Sequence, residues 1–168
     1  MDDIRKMLID KALEMGAKAA IDFSIDEIAF DGRTRLKCLF GCEGGLPYCP
    51  SRENPEVTGL YSDLAKKYKW GILIETDNLK DGQEISIELE RTAFLNGYTF
   101  ALAATECESC EECVAEKGEP CIEPKKQRLP LYAFGIDVYK TVRAKGWELE
   151  VVQKKGNPTK NITAVFVE

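Results

Sequence analysis

The chain has 168 residues, 44% of them hydrophobic, with a net charge of −6, and a pI of about 5.0. A chain of this length is expected to form a single domain over residues 1–168 that buries a core without covalent staples. The acidic balance excludes a chain-wide nucleic-acid footprint, and the absence of histidine excludes Ser-His-Asp and Cys-His catalysis and every zinc site that needs imidazole.

The first element is an amphipathic helix. Ile4, Met7, Leu8, Ala12 and Met15 share a face, and Gly16 stops it. This amino-terminal stretch carries early acids and lacks the basic and apolar regions of a secretory signal. No apolar run has the length of a membrane span. The chain is expected to be cytoplasmic, with no membrane or nucleic-acid partner and with reduced thiols.

A second helix is predicted from Asn54 as cap and Pro55 as first helical residue, with Val57, Leu60, Tyr61, Leu64, Ala65 and Tyr68 on one buried face. A third carries Asp81 and Glu84 as a capping box and ends at Asn96-Gly97. A fourth spans about Tyr132 to Lys145, with Phe134, Val138 and Val142 on its face and Gly146 after it. Apolar runs follow each helix: MGAKAAIDF, WGILIE, NGYTFALAA and KGWELEVV. Helix-then-strand repetition predicts an α/β fold with crossover helices and a partly parallel sheet. WELEVV and ITAVFVE flank KKGNPTKN and read as a C-terminal antiparallel hairpin at the sheet edge. Both cysteine-rich loops, at 38–49 and 107–121, are expected at one edge of the sheet, where open α/β sheets place ligands.

Seven cysteines in a cytoplasmic chain point to metal or redox chemistry, not to a disulfide framework. Cys107, Cys110, Cys113 and Cys121 form a C-x2-C-x2-C-x7-C motif. Three thiolates at intervals of three wrap a loop around a compact object, and a fourth closes it. The pattern favours a 4Fe–4S cluster over zinc, which more often takes two separated knuckles; an all-cysteine zinc site remains the alternative. Glu106, Glu108, Glu111, Glu112, Glu116, Glu119 and Glu123 surround these thiols, against Lys117 alone. That charge would lower a cluster's reduction potential and steer a basic protein redox partner.

Cys38, Cys42 and Cys49 form C-x3-C-x6-C-P, flanked by Arg33, Arg35, Lys37 and Arg52. Three thiolates around a cluster would leave one iron open for substrate, with the cations as anion clamps. Alternatively Glu43 or a partner molecule supplies a fourth ligand, or the three are free thiols for sulfur or redox exchange. No dinucleotide fingerprint or P-loop is present. Three functions remain: an electron-transfer protein, an enzyme with an open-site cluster at Cys38, Cys42 and Cys49, and a zinc-bound interaction module.

From about Ala17 to Val138 the chain resembles a family of cysteine-rich proteins of anaerobic bacteria and archaea, predicted to bind metal. The resemblance rests on RTRLKCLFGCEGGLPYCPS, YKWGILIET, ELERTAFLNGYTFALA, CESCEEC and EPCIEPKKQRLPLYAFGIDV, in that order. It implies that both cysteine sets hold metal, most plausibly 4Fe–4S, and that ELERTAFLNGY is helical. Leu129, between Arg128 and Pro130, departs from the family's arginine-proline-serine stretch, so no serine role carries over. The family implies no reaction.

Overall fold

The computed structural model describes residues 2–41, 57–108, 110–151 and 159–168. Its elements run α1 (Asp2–Glu14), β1 (Ala19–Ser24), α2 (Thr34–Gly41), α3 (Val57–Ala65), β2 (Trp70–Thr76), α4 (Leu79–Leu95), β3 (Leu102–Ala104), α5 (Val138–Ala144) and β4 (Asn161–Phe166), with short 3-10 turns between them.

The four strands lie in the order β1-β2-β4-β3. Every neighbouring pair is antiparallel, which corrects the expectation of a partly parallel sheet. The crossover logic holds in one place. Both β2 and β3 run antiparallel to β4, so they share a direction, with α4 as the connection between them. β4, from the far end of the chain, inserts between them and converts what would be a parallel pair into two antiparallel ones. The C-terminal hairpin is corrected too. Residues 147–151 form no strand, and β4 sits inside the sheet rather than at its edge.

The sheet has a core on each face. On one, Leu8 and Ala12 of α1 and Ile85, Leu89 and Ala93 of α4 close over Ile72, Ile74 and Val165. On the other, Phe23, Leu73, Ala164 and Phe166 meet Ala65, Leu131, Phe134, Val138 and Val142. The alternation of Ile72, Leu73 and Ile74 between the two faces follows from the two-residue repeat of a strand. All of β2 is buried, as befits a strand covered on both sides.

Helix ends match the sequence where glycine decides them. Gly16, Gly97 and Gly146 have φ of 102°, 95° and 79°, a conformation open to glycine at little cost. The start of α4 differs: its cap is Asn78, whose Oδ1 accepts from the Asp81 backbone N–H at 2.9 Å. The helix predicted over Tyr132 to Lys145 is two pieces, a 3-10 turn Leu131–Phe134 and α5, split at Gly135 with φ 78°. The predicted cap Asn54 and Pro55 lie outside the described residues. On α3, Ala65 is buried, but Leu60 and Leu64 are exposed.

One close approach sets the seat of α4. A Cβ on Gly82 would stand 2.3 Å from the Asn161 amide nitrogen. Only glycine lets the first turns of α4 lie this near to β4. The next residue, Gln83, is thereby held against the loop that leaves β3.

Candidate metal centre

β2 and β3 both end, and α4 begins, at the same end of the sheet. The chain leaves β3 there through Thr105 and enters the excursion that carries Cys107, Cys110, Cys113 and Cys121. It returns at Leu129, which bridges Ala104. The four thiols are unpaired and half-buried. They line one cavity of about 180 Å³, together with Glu108, Glu111, Glu123, Lys126 and Gln127. Among the described residues, no three Cys, Asp or Glu side chains converge as they would on a single ion.

Gln83, buried completely, fastens this excursion to the sheet. Its Nε2 donates to Lys126 O at 2.8 Å and to Cys107 Sγ at 3.7 Å, and its Oε1 accepts from Glu108 N at 2.6 Å. One amide thus ties both the outgoing and the returning chain. A second clamp lies beside it. Arg128 Nε donates to Glu90 Oε2 at 2.8 Å, and the same oxygen accepts from Ala103 N at 2.6 Å. Arg128 Nη1 also reaches Lys125 O and Gln127 O.

Sequence reasoning missed Gln83 and Glu90. Their signal was present: Gln83, Ser86 and Glu90 repeat at i, i+3 and i+7, a polar stripe beside the apolar one of Ile85 and Leu89. All three serve the sheet side, Ser86 through a buried 2.8 Å bond to Thr163. Replacing Gln83 by leucine keeps the volume but leaves Glu108 N–H and Lys126 C=O without their partner. The expected result is a loss of about 1–3 kcal/mol of stability and, if the excursion holds the metal, loss of that metal to a chelator about 10–100-fold more readily. Thermal unfolding and the rate of chelator stripping measure the two.

The electrostatics of the excursion are less one-sided than its sequence. Lys117 pairs with Glu112, and Lys126 with Glu123 at 3.7 Å. Glu108, Glu111 and Glu119 are exposed and have no ion pair among the described residues. Burial, and then the Glu108 carboxylate, push Glu106 above the ordinary range. Partial desolvation, and then the charges of Cys107, Cys121 and Cys113, push the Cys110 thiol up. A bound cation inverts that order, because metal ligation draws the proton off a thiol.

The first cysteine set is placed only in part. Cys38 lies on α2, while Cys42, Cys49 and Arg52 lie outside the described residues, as does Glu43. Arg33, just before α2, is engaged by its own neighbour: its Nε and Nη2 donate to Asp31 at 3.0 and 2.6 Å. That contact holds the Asp31 carboxyl down at about 2. Arg35 and Lys37 stand on α2 and form no ion pair among the described residues. The strand arrangement behind the expectation that both cysteine loops leave one edge of the sheet is corrected; residues 42–49 of the first loop lie outside the described residues. β1 and β3 are the two outer strands, and they run in opposite directions, so their carboxyl ends lie at opposite ends of the sheet.

The described donors suit a thiophilic metal. Four cysteines come together, and imidazole is absent from the whole chain. The family model described as predicted metal-binding protein (DUF2284) matches residues 22–167. The chain belongs to this family. No curated protein and no solved structure matches it. In this metal-binding family member the stretch predicted by resemblance to be helical, ELERTAFLNGY, lies largely in α4. Among the described residues no helix is long and apolar enough to cross a membrane.

Proposed function

We propose that Cys107, Cys110, Cys113 and Cys121 hold a 4Fe–4S cluster, and that the protein exchanges electrons with a basic protein partner. The observation that carries this reading is the cavity of about 180 Å³ lined by all four thiols. A tetrahedral zinc site draws its sulfurs to about 2.3 Å from one centre. Here all four thiols line one shared cavity, which suits a cluster with several metal corners.

When bound, such a cluster supplies a one-electron store. The chain's own residues do the rest. Gln83 points an amide N–H at Cys107 Sγ, the kind of contact that raises a cluster's potential by stabilising added charge on sulfur. Glu108, Glu111 and Glu119, exposed and without an ion pair among the described residues, pull the other way and present a negative rim to a partner. The Glu90–Arg128 pair, with each side chain 18% exposed, fixes the returning chain so that the thiols keep their spacing.

Iron, acid-labile sulfide and zinc per chain, measured on protein purified without oxygen, test the reading. About four irons with about four sulfides are expected from this site. About eight would extend the cluster chemistry to Cys38, Cys42 and Cys49. Zinc without sulfide would sink the redox proposal and leave a zinc-bound interaction module.

A further inference from the structure

A second cavity lies at the opposite end of the sheet from the cysteines. Its volume is about 740 Å³, within the range of roughly 300–1,000 Å³ usual for small-molecule sites. The loop before β3, the carboxyl-terminal part of α3 and the 3-10 turn at Leu131–Phe134 form its walls. The aromatic rings of Tyr61, Tyr68, Tyr98, Phe100 and Phe134 line it.

Two features define the occupant. The first is the exposed apolar surface. Phe100 is 82% and Leu64 44% exposed at this cavity, although α3 was expected to bury Leu64. Large apolar side chains left open around a concavity mark a binding surface more often than chance exposure does. The second is how the polar groups are spent. The Tyr68 hydroxyl donates to Phe100 O at 2.6 Å, and Lys69 Nζ pairs with Glu168 at 3.0 Å. The Lys67 ammonium is left as the cation of the rim with no ion pair among the described residues. An apolar, ring-lined body with one uncommitted positive charge complements a ligand of the same shape and opposite charge.

We infer that this cavity binds a planar aromatic molecule carrying a single carboxylate or sulfonate, with its rings against Tyr61, Tyr98 and Phe100 and its anion at Lys67. Aromatic pairs add to area burial when offset or edge-on, and the lysine adds a charge-assisted contact at the mouth. The inference stands on this cavity alone and does not depend on which metal the cysteines hold.

Equilibrium dialysis of the full, metal-loaded chain tests it, because a coloured metal centre does not disturb the readout. The probes are anilinonaphthalenesulfonate, an aromatic anion, and phenylnaphthylamine, its neutral counterpart. One saturable site per chain is expected for the anion. Lys67→Ala should weaken the anion about three- to fivefold and leave the neutral probe unchanged. Phe100→Asp should abolish binding of both. Both side chains are exposed; if the Phe100 variant fails to fold, Lys67→Ala still decides. Uptake that does not saturate, or that is the same in Lys67→Ala, overturns the inference. So does a dimer in sedimentation that Phe100→Asp dissociates, since the cavity would then be an interface between two copies.

Discussion

On the proposed reading, Cys113→Ala is expected to strip the metal from the chain and leave the sheet folded. Neither core cluster contains any of the four cysteines of the excursion, and each thiol is half-exposed. Removing one sulfur therefore costs little packing. It does remove a quarter of the donor set that lines the cavity. Metal per chain is expected to fall by at least about tenfold, since loss of a mere supporting contact already costs about 10–100-fold in affinity. Cys107, Cys110 and Cys121 should behave alike. Glu111→Gln, which alters charge at the same cavity without removing sulfur, should retain the metal. Metal analysis beside far-ultraviolet circular dichroism separates the two effects. Full metal in all four single cysteine variants would show that the excursion is not the centre.

Phe166→Ala should have the largest effect on stability. The Phe166 side chain is fully buried in β4. Its ring meets Phe23 edge-on at 6.0 Å, Tyr68 at 5.2 Å and Phe134 at 5.5 Å. Those partners come from β1, from the segment before β2 and from the turn before α5, so one ring joins three distant stretches of chain. Truncation leaves a cavity that a strand held on both sides cannot close. A loss of about 3–5 kcal/mol is expected, which lowers Tm by about 6–20 °C in a domain of this size. Phe166→Leu should cost less, because leucine refills part of the space. Thermal unfolding of metal-loaded protein measures both, and a loss below about 1 kcal/mol for alanine would mean that these rings do not form one core.

Local order was legible in the sequence wherever a residue's own chemistry decided it. Gly16, Gly97 and Gly146 end helices because they adopt positive φ, and the strands β1 and β2 follow their apolar runs. The four cysteines of the second group, marked out by their spacing, line one cavity. Strand direction was not legible. β4 lies at the end of the chain, and nothing near it in sequence states that it will pair with β2 and β3. Such non-local pairing is chosen by the closing of both cores at once, not by any short pattern. WELEVV alternates like a strand, yet Leu149 is buried without one, against the core that holds Val142. Its carbonyl accepts from Arg143 Nη2 at 2.9 Å instead of from a strand partner. On α3 the apolar spacing was read as one buried face; Leu64 instead lines the apolar cavity. The role of Gln83 was hidden because a polar residue on a helix is usually solvated, and only the close seat at Gly82 turns it inward.

The thin attachment of the cysteine excursion has a consequence for the protein's lifetime in a cell. Between Cys107 and Arg128, Ala115 is the one buried hydrophobic residue among those described, and it belongs to neither core cluster. The excursion is held by the Gln83 and Glu90 clamps and, on the proposed reading, by its metal. A segment with so few buried contacts opens on its own while the rest stays folded, and a ligand that binds the closed form suppresses that opening by mass action. Proteases cleave in proportion to the population of the open form. A metal-free chain would then be nicked in the excursion with its sheet still intact, so that the abundance of the protein follows the supply of metal.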